Sequence, residues 1–135
     1  MTVDITSPEQ QITAIDLVAL DALQEMLGCE DDDVLDAFLD DTLPDVEGLL
    51  GEVEGAVAAQ DAERLKIATH TLRANCRTVG AVELGALARE LETRAERSEL
   101  PRPEVQAKVR ARLLDAYARF REALARELER RRVAS

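Results

Sequence analysis

Apolar residues recur along this chain at steps of three and four and do not alternate, so the pattern predicts helices and no strands. A first short stripe, Leu17, Leu20, Leu23 and Leu27, spans about residues 15–27, and Gly28 stands where helices commonly stop. A longer pattern follows. Val34, Leu35, Phe38 and Leu39 begin it, Val46, Leu49, Leu50, Val53 and Val57 continue it, and it ends near Gln60. Pro44 lies between these stretches and is expected to kink or reset the helix. Asp61 suits the N-cap of a third helix with the stripe Leu65, Ala68/Thr69, Leu72, Cys76 and Val79, closed by Gly80. The fourth helix carries Leu84, Leu87, Ala88, Leu91 and Ala95, before a polar break at residues 97–102 that contains Pro101. Pro103 suits the first turn of a fifth, whose stripe is Val105, Val109, Leu113, Ala116/Tyr117, Phe120, Leu124 and Leu128.

The connections between these patterns are short, so successive long helices should be antiparallel neighbours. The expected fold is all-α: an antiparallel four-helix bundle built from the last four helices, with an additional short N-terminal helix across one end. A chain of 135 residues suits a single core. We read residues 1–14 as a flexible lead-in containing Pro8, and residues 15–133 as the bundle. Aromatic residues make up only 2% of the chain, so Leu, Val and Ala must fill that core.

Charge changes the picture in one respect. Residues 1–60 hold 16 Asp/Glu and no Lys or Arg, whereas residues 61–135 hold 12 Asp/Glu and 17 Lys/Arg. The acidic half argues against a general nucleic-acid binder. The run Glu30–Asp33 reads as acids at a helix N-terminus, and Arg130–Arg132 as bases at a helix C-terminus. No stretch approaches the roughly 18 apolar residues of a membrane span, and residues 1–15 lack a signal-peptide pattern. The expected location is therefore the cytoplasm, with Cys29 and Cys76 as free thiols. There is no CxxC pair or cysteine–histidine cluster, so no metal is expected.

The candidate chemistry lies at His70, the one histidine of the chain. Helical spacing places it off the apolar stripe of the third helix. Arg73, Ala74 and Arg77 share its face in one direction, and Lys66, Glu63 and Ile67 in the other. An unperturbed imidazole, with pKa about 6.5, is neutral and nucleophilic near physiological pH. Guanidinium groups match phosphate geometry and stay charged. A solvent-facing imidazole beside Arg73 and Arg77 is thus suited to carry a phosphoryl group. Ala74 keeps the surface low, so that Ile67 and Ala74 can serve partner docking. The plain alternative is a surface histidine without a role.

Residues 68–80, with Ala81 and the Leu84/Leu87/Leu91 helix, resemble histidine phosphotransfer (HPt) domains. That family's pattern is a histidine, Leu two positions on, Lys or Arg three on, Gly four on, and a Leu/Val-Gly pair nine and ten on. Here the positions hold His70, Leu72, Arg73, Ala74, Val79 and Gly80. The resemblance covers about residues 15–130. It implies that His70 is the phosphoacceptor, reacting through Nε2, and that Arg73 supports the phosphate. It implies partners that are response-regulator receiver domains, a histidine kinase, or both. It also implies no nucleotide, no metal and no cofactor of the chain's own, the Mg²⁺ belonging to the receiver. Ala74 departs from the family's Gly by one methyl, which should hinder docking only slightly. Arg73 replaces the commoner Lys, and Cys76 a small polar residue.

Three other readings compete. The phosphoacceptor helix of a histidine kinase carries an acid after the histidine and Pro five positions on, where this chain has Thr71 and Asn75. An HPt-like adaptor would bind a receiver without transferring phosphate. A metal-binding bundle would want Glu-x-x-His pairs, whereas Glu63 and His70 stand seven apart. The expected protein is a monomeric phosphocarrier, not an enzyme.

Overall fold

The computed structural model describes residues 14–28 and 32–134. Five helices are present: α1 (Leu17–Met26), α2 (Asp32–Ala58), α3 (Ala62–Val79), α4 (Val82–Glu96) and α5 (Pro103–Ala134). The expected lead-in lies almost wholly outside the described residues, as does Cys29.

Helices α2 to α5 close a ring of neighbours, α2 against α3, α3 against α4, α4 against α5, and α5 back onto α2. Cross-helix pairs fix the antiparallel sense. Along α5, Arg110, Tyr117 and Arg132 meet Glu54, Glu47 and Asp36 of α2 in descending order. The core is built from Leu, Val and Ala, with Phe120 the largest fully buried side chain.

Local signals explain the ends. The Asp61 carboxylate accepts the Arg64 amide, supplying one of the bonds that the first turn of α3 lacks. Gly80 closes α3 at φ +82°, a left-handed conformation that costs glycine little. A Cβ there would lie 2.6 Å from the Asp16 carbonyl oxygen, because the chain entering α1 crosses this turn. The Asp16 amide donates to the Gly80 carbonyl at 2.8 Å, and the Asp16 carboxylate caps α1. At the far end of the bundle's last helix, Arg131 joins Glu127 to Asp21 and Gln24 of α1.

Two expectations need correction. Of the two outcomes expected at Pro44, a kink or a reset, the reset does not occur, since α2 runs unbroken from 32 to 58. Leu35, Leu39, Leu43, Val46, Leu50, Val53 and Val57 are all buried, one stripe in register on both sides of the proline. Burying that stripe outweighs the roughly 3 kcal/mol that an interior proline costs. Leu17, Val34 and Val105, expected on core stripes, are more than 40% exposed. Each stands in the first turn of its helix.

Candidate functional site

The α3 stripe Leu65, Ala68, Thr69, Leu72, Cys76 and Val79 is buried throughout. Thr69 returns its hydroxyl to the Leu65 carbonyl at 2.7 Å, so the one polar member of the stripe is satisfied within its own helix. His70 follows Thr69 by one residue, about 100° around the helix, which turns it out of the core. Its side chain is 64% exposed.

The imidazole is nevertheless held. Glu92 of α4, a buried residue, places Oε2 at 2.9 Å from His70 Nδ1. A carboxylate only accepts, so the contact selects the Nδ1–H tautomer, in which Nε2 carries the lone pair. Arg73 reaches the same carboxylate from one turn further along α3, with Nε 2.9 Å from Oε1. That contact is an ion pair without hydrogen-bond alignment, and Nε finds no other acceptor. Arg73 Nη2 stands 3.4 Å from His70 Nδ1. A protonated Nδ1 offers it no lone pair, so the guanidinium sits beside the ring as charge.

Glu92 can reach α3 because the two helices approach closely. At Gly85 an added Cβ would come within 3.2 Å of the Cys76 Cβ. The Cys76 thiol is sealed in this contact, and burial pushes its pKa up to about 12. A thiol so held stays protonated, and the thiolate, not the thiol, is the nucleophile.

Of the remaining site candidates, Ile67 is 60% exposed and Ala74 is exposed, both on the His70 side of α3. Arg77 lies two turns beyond His70 and lines a groove with Arg73 rather than touching the ring. Among the described residues, no group of three or more His, Cys, Asp or Glu is placed to hold a metal ion. No helix among them is long and apolar enough to cross a membrane.

Glu92 is the site residue that helical periodicity on α3 alone cannot supply. Its signal was present on α4, where Ala88, Leu91, Glu92 and Ala95 share one buried face. A carboxylate on such a face requires a partner from a neighbouring helix.

A family model described as Hpt domain matches residues 33–132. Among solved structures, this fold is similar to the crystal structure of histidine-containing phosphotransfer protein B (HptB) from Pseudomonas aeruginosa PAO1. The TM-score is 0.71 and the identity 27%, and the match covers 87% of this chain and 96% of that one. No curated protein matches.

Proposed function

The chain belongs to the Hpt domain family of histidine phosphotransfer proteins, and on that premise we propose that His70 Nε2 is the atom that carries the phosphoryl group. The observation that supports this reading most is the 2.9 Å contact between His70 Nδ1 and the buried Glu92 carboxylate. It leaves the nucleophilic nitrogen facing solvent, where a partner's acyl phosphate can arrive in line.

In the transfer, the Nε2 lone pair forms a bond to phosphorus as the bond from phosphorus to the aspartyl oxygen breaks. That electron pair returns to the aspartate as a carboxylate. The ring becomes cationic because Nδ1 keeps its proton, and Glu92 faces that positive charge across a short hydrogen bond. The electrostatic logic is that of a carboxylate behind a catalytic imidazole. Arg73, held beside the ring by the same Glu92, offsets charge on the incoming phosphoryl oxygens. Onward transfer runs the same geometry backward to a second receiver aspartate.

The partners in this reading are receiver domains, a histidine kinase, or both, docking over His70, Ile67 and Ala74. The protein is a cytoplasmic, monomeric phosphocarrier that contributes no ATP chemistry, metal or cofactor of its own. The bundle comprises residues 15–133.

The test is phosphotransfer from a panel of phosphorylated receiver domains, with His70→Gln as control. Label that requires His70, is acid-labile and survives alkali supports the reading. Binding that is indifferent to His70→Gln, with no transfer from any receiver, replaces it with an adaptor.

A further inference from the structure

A groove of about 720 Å³ runs beside the His70 site along α4, walled by the C-terminal turns of α3 and the start of α1. Its floor is made of small residues, Gly80, Ala81, Gly85 and Ala86. Its walls carry Arg73, Arg77, Arg89, Arg94 and Arg97 against only two acids, Asp16 and Glu90. The Asp16 carboxylate is already committed to capping α1.

This concentration is unusual for a chain with a formal net charge of −11. Elsewhere most arginines are paired: Arg64 and seven arginines of α5 each stand in an ion pair, Arg102 and Arg112 being the exceptions among the described residues. In the groove, Arg77, Arg89 and Arg97 are exposed, and among the described residues none has a carboxylate partner. Arg77 and Arg89 lie on the Gly80 side of the His70–Glu92 contact and Arg97 on the other, so the uncompensated charge runs along the groove.

The groove is continuous with the reactive site, because Arg73 belongs to both. Arg77 lies about 10 Å beyond His70 along α3, and Arg89 about 4.5 Å from Glu92 along α4, at 1.5 Å per residue. A standard protein interface covers about 800 Å² per partner, a disc of radius about 16 Å. An interface of that size centred on His70 spans the levels of Arg77 and Arg89 along the helices.

We propose that this groove is the docking surface for an acidic flank of the receiver-type partner that exchanges phosphate with His70, and that it sets both the rate of encounter and the choice of partner. The proposal rests on the reading of His70 as phosphoacceptor. Rim charges of this kind act chiefly on association rate and on rejection of mismatched partners. A compact acidic domain suits the site better than a long polyanion, which would also meet residues 1–60, where 16 Asp/Glu stand with no Lys or Arg.

The experiment uses the full chain and a panel of receiver domains phosphorylated with acetyl phosphate. The second-order rate constant is compared for wild type, Arg89→Glu/Arg97→Glu and Arg89→Lys/Arg97→Lys at low and high salt. Charge reversal is expected to slow transfer by about tenfold or more at low salt, the difference shrinking as salt rises, with the lysine variant close to wild type. Phosphoramidate, a small donor that needs no docking, should still label His70 in the reversed variant, which separates lost docking from lost folding. Equal rates for wild type and the reversed variant at low salt overturn the groove and leave His70 intact. Failure of both donors to label wild type overturns the His70 reading and the groove with it.

Discussion

His70 Nδ1 lies 2.9 Å from Oε2 of Glu92, a contact between an exposed imidazole on α3 and a buried carboxylate on α4, 22 residues apart in the chain. In the proposed transfer it decides which ring nitrogen is free to react. Because the chain has a single histidine, one imidazole spectrum reports on the site directly. Glu92→Ala, which removes the acceptor, should release the Nδ1-H tautomer, visible in the imidazole ¹⁵N shifts, and slow phosphotransfer by about tenfold or more. Unchanged shifts and rates would remove Glu92 from the site.

Arg73 is tied to the same carboxylate at 2.9 Å. Arg73→Glu replaces that attraction with repulsion and removes the cation beside the phosphoryl group. Transfer should fall, or the phosphohistidine lifetime shorten, by about tenfold or more, while Arg73→Lys retains most activity. The helical circular-dichroism signal should persist, because Arg73 is not part of the core.

Leu72 is fully buried two residues from His70. Leu72→Asp places a charge in the apolar interior and should cost about 4 kcal/mol or more, enough to unfold or loosen the bundle. Thermal denaturation checks this, and a wild-type Tm would mean that the stripe does not face the core.

Gly80→Ala should destabilise by about 2 kcal/mol, since the residue is held at φ +82° and its Cβ would press on the Asp16 carbonyl. The strain falls at the seam between α1 and α3. Amide exchange should therefore quicken first in residues 16–20, a result that a general loss of stability would not give.

Glu127 is buried between Arg130 and Arg131, and the hydrogen bond from Arg130, reinforced by Arg131, holds its pKa down at about 2 against an ordinary 4.5. A carboxyl whose pKa is lower in the folded state contributes stability above its unfolded pKa and loses it on acidification. The contribution should be full above about pH 4.5 and fade toward pH 2. Denaturation of Glu127→Gln against wild type should show a deficit of about 1–2 kcal/mol at neutral pH that narrows across that window.

Much of this protein was legible in its linear order. The steps of three and four marked out five helices and most of the face each buries, the first-turn residues Leu17, Val34 and Val105 excepted. Asp61, Gly80 and Pro103 marked helix boundaries because capping and backbone conformation are local physics. The same arithmetic put His70 one residue off the α3 stripe and set Arg73 one turn away, since neighbours within a helix are set by its pitch. Tertiary structure alone decided the rest. Pro44 stayed inside a continuous helix because burial of the α2 stripe outweighed a local penalty. Glu92 became the partner of His70 only through the close α3–α4 approach at Gly85 and Cys76. Arg89 and Arg97 joined Arg73 and Arg77 in one groove through the same antiparallel register. Periodicity reports which face of a helix is apolar, but which polar groups meet across two helices depends on their register and distance, and no single segment encodes either.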